Sequence, residues 1–210
     1  YYSVDEMKQA ITLLGNIISE EYEGKCTEYL NYLDAQIERV SAALDGKVTD
    51  KVSLYYIHGN NNKGLYKTAG GGTMNEAWAN YAYTSFATSD LLTSSETEVN
   101  AEAILNENPD MIVIGGRYQR ILQNELLNTA EWDEVNACVN NRIYLAPLGI
   151  SPFDRFGAEF AMMIPWVASQ AYPELFTYDV AKEVKDFYQT FSGYTLSDDE
   201  VNYIVNGLKP

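Results

Sequence analysis

An apolar stripe that repeats at helical spacing for about six turns constrains this chain more than any other feature. Tyr22, Cys26, Tyr29, Leu30, Leu33, Ile37, Val40 and Leu44 share one face of a helix predicted over residues 22–44, and Gly46 stands where it should stop. A helix of that length can span a small domain, so one side of it must be packed against whatever it joins. A shorter helix precedes it over residues 5–18, with Met7, Ile11, Leu14, Ile17 and Ile18 at helical spacing and Ser3 as its N-cap.

The texture then changes. Residues 52–57 read as a buried strand followed by the loop His58-Gly-Asn-Asn-Asn-Lys-Gly, and Thr73 caps a helix that runs to about residue 81. A short helix over 100–106 is stopped by Asn108-Pro109, and 111–114 form a short apolar strand. Helical pieces follow over 118–128, with a break, and over 132–138, before a further strand at 142–145. Beyond the loop 146–154 a helix extends to residue 171, interrupted or kinked near Pro165. Two last helices occupy 178–193 and 197–206, the second opened by a Ser197–Glu200 capping box. Strand–helix alternation with short apolar strands predicts an α/β fold: a mostly parallel sheet flanked by helices, behind the long helix. No internal repeat is visible.

Composition narrows the function. Thirty acidic residues against 14 basic ones leave a formal charge of −16, which repels phosphate backbones and anionic lipid and argues against nucleic-acid binding. His58 is the single histidine, too few for a histidine-rich metal cage, so neither a resident metal nor a cofactor is expected. Cys26 and Cys138 fit no metal or redox spacing and are read as two buried thiols or one disulfide. No apolar run reaches membrane-spanning length. The opening Tyr1-Tyr2-Ser3, with no initiator Met, reads as a trimmed or internal start.

Open α/β sheets bind ligands beyond the carboxyl ends of their strands. Those ends offer three clusters: His58, Asn60, Asn61, Asn62 and Lys63; Gly115, Gly116, Arg117, Tyr118 and Arg120; and Pro147, Gly149, Ser151, Phe153, Asp154 and Arg155. Four of the five arginines fall between residues 117 and 155, and Arg117 and Arg155 lie just past strand ends. Their planar, permanently charged forks suit carboxylate, phosphate-like oxyanion or catecholate groups; the plainer alternative is an ion pair of Arg155 with Asp154 or Glu159. Gly70-Gly71-Gly72 before Thr73 could offer backbone N–H groups to an anion, but lacks the Lys-Ser/Thr of a phosphate loop. Catalysis has little to work with. There is no Gly-x-Ser-x-Gly elbow or Cys–His spacing, and Asp198-Asp199 read as a solvated helix cap.

Several segments together resemble a family. Glu102-Ala-Ile-Leu-Asn-Glu-Asn-Pro-Asp-Met-Ile-Val-Ile looks like the second-lobe signature of siderophore-, haem- and cobalamin-type ABC solute-binding proteins, in which an early Glu on a helix runs into Asn-Pro-Asp and a buried strand. Tyr66-Lys-Thr-Ala-Gly-Gly-Gly-Thr, Arg142-Ile-Tyr-Leu-Ala-Pro and Phe153-Asp-Arg-Phe-Gly-Ala-Glu agree with it. So do Tyr172-Pro-Glu-Leu-Phe and Phe187-Tyr-Gln-Thr-Phe-Ser-Gly-Tyr-Thr-Leu-Ser-Asp-Asp-Glu, which resemble the C-terminal end of iron-complex and oxyanion receptors. The chain departs from the pattern at Phe153, where a Trp is common, and around Tyr83-Thr84-Ser85, where Gly-Gly-x-Asn is usual.

The resemblance implies the second half of a two-lobed periplasmic-binding-protein fold: a three-layer α/β lobe preceded by the long helix that connects it to a first lobe. Residues 1–45 would be the helical segment with that connector, 46–172 the ligand-binding lobe, and 173–210 the helices that close it. The implied function is non-enzymatic capture of an iron–siderophore, haem or cobalamin-like chelate for an ABC permease. An oxyanion receptor of molybdate or tungstate type, an α/β enzyme and an interaction domain are the alternatives. Arg117, Tyr118 and Arg155 are expected at the ligand, joined by Phe153, Tyr66 and Thr68, and Glu102 is expected to dock on permease arginines. The implied setting is extracytoplasmic, with any membrane attachment through a lipid anchor outside these residues.

Overall fold

The computed structural model describes residues 3–59, 64–93 and 96–208. Two helices come first, α1 (Val4–Ile18) and α2 (Glu20–Leu44), joined at Ser19, which ends one and caps the other through Tyr22 N–H. Ser3 caps α1 as its sequence predicts, its hydroxyl accepting from Glu6 N–H. The long stripe forms one unbroken helix of 25 residues, about 37 Å at 1.5 Å per residue. Its second half is anchored, with Leu33, Gln36, Val40 and Leu44 buried. Its first turns, and the tip of α1, are not. Leu13, Leu14, Ile17, Ile18 and Tyr22 are exposed, Ile17 to 69%. Only Met7 and, in part, Ile11 of the α1 stripe pack inward, so half of that apolar face has no partner among the described residues.

After α2 the chain alternates: β1 (Ser53–Ile57), β2 (Lys67–Thr68), α3 (Met74–Tyr81), β3 (Ser85–Phe86), β4 (Thr97–Glu98), α4 (Ala101–Glu107), β5 (Met111–Ile114) and α5 (Gln119–Leu127). A 3-10 turn (Ala130–Trp132), α6 (Asn136–Val139), β6 (Ile143–Leu145), α7 (Phe160–Ala171), α8 (Val180–Ser192) and α9 (Asp198–Val205) complete it. The four strands β3-β1-β5-β6 are all parallel, and β2 and β4 form a separate antiparallel pair. Leu54, Tyr56, Met111 and Val113 face one layer, with α2, α3, α7, α8 and α9. Tyr55, Ile57, Ile112 and Ile114 face the other, with α4, α5, α6 and Trp132. Burial of both faces is what makes β1 and β5 continuous apolar runs. The expected three-layer α/β architecture is the one found.

Some elements differ from their sequence reading. Residues 119–127 form one helix without a break, and 132–138 resolve into the end of a 3-10 turn and the short α6. Pro165 sits inside α7 without interrupting it. Strands β2, β3 and β4 went unpredicted because two residues each are too few for any alternation to register. Cys26 and Cys138 are free, and neither is a buried thiol: both are half-exposed. Asp198 is exposed and paired with Lys185 at the mouth of α9, and the Ser197–Glu200 capping box forms as read.

The anchorage of α2 is specific. Glu183 on α8 accepts from Gln36 Nε2 at 3.0 Å, Tyr32 Oη at 3.3 Å and Arg39 Nη1 at 3.0 Å, while the Arg39 guanidinium lies 5.0 Å from the Tyr178 ring centroid. Leu33→Ala is therefore expected to cost about 3 kcal/mol in urea unfolding, through lost burial and a cavity. Glu21→Ala, on the exposed turns, should change stability by less than about 0.5 kcal/mol.

Candidate functional site

Parallel strands β1, β5 and β6 end on the same edge of the sheet, and the loops leaving them are zipped together. Gly59 carbonyl oxygen accepts from Arg117 N–H at 3.0 Å and Tyr118 N–H at 3.1 Å, and Gly115 N–H donates to Ile57 at 3.0 Å. This approach needs glycine on both sides. A Cβ on Gly59 would collide with the Gly115 carbonyl, and one on Gly116, where φ is 72°, would collide with the Gly59 carbonyl.

Into this junction the loop after β6 inserts Asp154. Its buried carboxylate accepts from Tyr56 Oη at 2.5 Å and Gly116 N–H at 3.2 Å, and lies 3.3 Å from Arg155 Nε. The Arg155 guanidinium then rests against His58, with Nη1 2.8 Å from Nε2 and Nη2 3.4 Å from Nδ1. Tyr56 closes the group from behind, its ring edge-on to the imidazole at 5.8 Å. His58 is 3% exposed, whereas the Arg155 side chain keeps 31% of its surface open. Burial, then the adjacent Arg155 charge, lowers the His58 pKa to about 4, so the imidazole is neutral at pH 7. Burial and then the Asp154 charge push the Tyr56 hydroxyl well above its usual range.

Three of the sequence candidates therefore meet at one edge: Arg155, Arg117 and Tyr118. Arg117 is exposed, and its guanidinium has no ion-pair partner among the described residues; Tyr118 is half-buried. Of the two ion-pair alternatives for Arg155, the Asp154 pair forms. Glu159 is committed elsewhere, accepting from Ile150 N–H at 3.0 Å and Tyr188 Oη at 2.9 Å.

The other candidates occupy different places. Phe153 is fully buried in the core, which removes it from a ligand-facing surface. Thr68 is also fully buried, its hydroxyl donating to the Tyr56 carbonyl at 2.6 Å, so it braces β1 from within. Tyr66 packs 5.9 Å from the Trp132 ring and donates to Glu131 at 2.9 Å. Arg120 reaches the Asn206 carbonyl, and Arg142 caps the end of α7 at the carbonyls of Gln170 and Ala171. Two of the three N–H groups at Gly70–Gly72 are not free for an anion: Gly71 donates to the Leu92 carbonyl at 2.8 Å and Gly72 to the Glu76 carboxylate at 2.7 Å. Asn60, Asn61, Asn62 and Lys63 lie outside the described residues. Sequence reasoning missed His58 as a partner for arginine and the Tyr56 hydroxyl; position immediately after or within a strand end was the available signal.

Glu102 lies in the first turn of α4, exposed, with Asn100 Oδ1 accepting from Ala103 N–H at 3.2 Å. Because α4 runs into parallel strand β5, its N-terminus stands on the carboxyl edge of the sheet. The β2–β4 pair leads there directly, Lys67 carbonyl taking the His58 N–H at 2.7 Å and Tyr66 carbonyl the Val99 N–H at 3.0 Å.

A sequence profile of the periplasmic binding protein family matches residues 2–148, and the chain belongs to that family. Its fold is similar to that of a periplasmic solute-binding protein from Veillonella parvula, at 26% identity and TM-score 0.76 over 98% of this chain and 62% of that one. An ABC transporter solute-binding protein from Sulfurospirillum deleyianum aligns at 18% identity and TM-score 0.79, over 97% and 62%. The molybdate-binding protein MolA of Haemophilus influenzae, solved with molybdate bound, aligns at 23% and TM-score 0.75, over 92% and 57%. The chain thus spans about three fifths of the length of these structures. No curated protein matches it in sequence.

The His58 environment has a consequence for stability. A histidine whose folded pKa is depressed to about 4 binds fewer protons folded than unfolded between that value and about 6.5, so stability rises with pH across this window and is flat above it. Thermal or urea unfolding from pH 7 to 4 should show the wild-type chain losing on the order of 3 kcal/mol more than His58→Gln, with most of the divergence below pH 6.5.

Proposed function

We propose that the chain is the second lobe and connecting helix of an ABC importer's solute receptor, capturing a small ligand outside the cytoplasm and delivering it to the permease without catalysis. The observation that carries this is the pair Arg155 and Arg117 on the carboxyl edge of a parallel sheet, one braced by a buried network and one open, with Tyr118 beside them. Braced and open guanidinium groups with an aromatic neighbour suit a ligand that is anionic in part and apolar elsewhere. An iron–siderophore, haem or cobalamin-like chelate fits that description. The molybdate held by the H. influenzae neighbour favours an oxyanion as the second reading.

Residues 46–172 form the ligand-binding lobe on this reading, 173–210 close it, and α2 links it to a first lobe. That lobe supplies the other wall of the cleft and covers the apolar tip at Leu13, Leu14, Ile17, Ile18 and Tyr22. Calorimetric titration of the full-length receptor with ferric chelates and with molybdate tests the site. Arg117→Ala or Arg155→Ala should weaken binding at least about tenfold, the worth of one charge-assisted bond. Affinity unchanged in both variants would overturn the assignment.

Glu102 belongs to docking on this reading rather than to the ligand. It stands on the rim, where the α4 N-terminus favours a carboxylate and Asn100 fixes the turn. Charge pairs at such rims set orientation and association rate. Glu102→Arg should therefore slow receptor–permease association in reconstituted vesicles while ligand affinity stays within about twofold. Lost ligand affinity with intact association would reverse the two roles.

A further inference from the structure

We propose that His58 is a positioning residue: its neutral imidazole and the Asp154 carboxylate clamp the Arg155 guanidinium from two sides, leaving the open edge of that guanidinium for an anionic group of the ligand. The inference rests on the proposed role of Arg155 and names what makes that role possible.

The geometry supplies the argument. A guanidinium has five N–H donors and no acceptor. Asp154 sits against Nε at 3.3 Å, and His58 Nε2 takes Nη1 at 2.8 Å, so two sides of the fork are held. A neutral imidazole has one nitrogen able to accept, and the shorter contact assigns that nitrogen as Nε2. An imidazolium could only donate, and would face Arg155 with like charge. Both clamps are themselves immobilised. Asp154 is tied to Tyr56 Oη and Gly116 N–H, and the His58 backbone is fixed by its N–H to the Lys67 carbonyl at 2.7 Å, with the Tyr56 ring edge-on to the imidazole. An arginine otherwise loses considerable side-chain entropy on binding, and a clamp formed beforehand removes that cost from the binding step.

The charged and titratable groups around the imidazole are Arg155 and Asp154 from the loop after β6, Tyr56 on β1, Lys67 on β2 and Glu96 before β4. Burial and Arg155 favour the neutral ring, while Asp154 and Glu96 oppose them. An anion seated on Arg155 adds a further negative charge beside His58 and so raises its pKa.

The ring signals of His58 in NMR are assigned by their loss in His58→Gln. In the full-length protein without ligand, the ring 15N shifts at pH 7 should show a neutral imidazole with Nε2 unprotonated, titrating near pH 4. Arg155→Gln should raise that midpoint by about one unit or more, as removal of an adjacent cation does. An imidazolium at pH 7, or a midpoint that Arg155→Gln leaves in place, would overturn the clamp whatever the ligand. With molybdate and a ferric catecholate as probes, His58→Leu should weaken binding about tenfold, and His58→Gln, which keeps an acceptor, should recover it to within about threefold. Wild-type affinity in His58→Leu would end the positioning role while Arg155→Ala still tests the site itself. Wild-type affinity in Arg155→Ala would instead remove the ligand-binding reading and leave the ligand-free titration to decide the clamp.

Discussion

Strands β1 and β5 pair in parallel with Leu54 opposite Met111, Tyr55 opposite Ile112, Tyr56 opposite Val113 and Ile57 opposite Ile114, and all eight side chains are buried. A sheet with both faces covered by helices has no free face on which to display polar groups, so they must leave at its ends. The pairing also brings the two departing loops within backbone contact, which only the glycines at 59 and 116 permit. Everything at the site follows from that junction: the Gly116 N–H that meets Asp154, the N–H groups that set Arg117 and Tyr118, and the place of His58. A side chain at either glycine would part the loops and disperse the group.

Asp154 is the costly member of the cluster. Removing a carboxylate from water costs several kcal/mol in a real protein, and that is offset only when its oxygens are fully engaged. Tyr56, Gly116 and Arg155 engage them. Tyr56 is itself fully buried and its backbone is braced by Thr68. A fully connected polar group of this kind fixes one arrangement of Arg155 rather than adding much net stability, and on the proposed reading that fixed arrangement is what the arginine requires. Thr68, expected at the ligand, contributes two steps behind it.

What the sequence made legible was whatever periodicity or capping chemistry records. The α2 stripe, the Ser3, Thr73 and Ser197 caps, and the two apolar strands all stood in the linear pattern because each depends on residues within one or two turns. The strand-end rule also pointed to Arg117, Tyr118 and Arg155, which do lie at the carboxyl edge of the sheet. It failed to separate them from Phe153, because neighbours in a tight loop point in opposite directions: Arg155 keeps an open edge while Phe153 is in the core. Nor could it see His58 against Arg155, a contact across 97 residues of chain, or Glu131 waiting for Tyr66. Such pairings are set by how loops fold back over the sheet, and no local pattern encodes them.

Charge is distributed so that the site differs from the rest of the molecule. Arg39, Arg120 and Arg142 are engaged in holding helices, and Lys8, Lys25, Lys67, Lys182 and Lys185 are paired with carboxylates. Among the described residues Arg117 makes no ion pair, as Lys47 and Lys51 make none elsewhere on the surface, while the charge of Arg155 is largely balanced by Asp154 beside a neutral His58. At physiological salt the field of distant acids is screened beyond about 8 Å, so an approaching anion responds chiefly to the groups at the strand ends. On the proposed reading the two arginines then divide the work. Arg117 supplies net attraction, and Arg155 supplies directed N–H groups whose value depends on angle more than on total charge. Discrimination among anions would therefore fall on the shape and spacing of their oxygens, and a denser charge of the wrong geometry would gain little from the site.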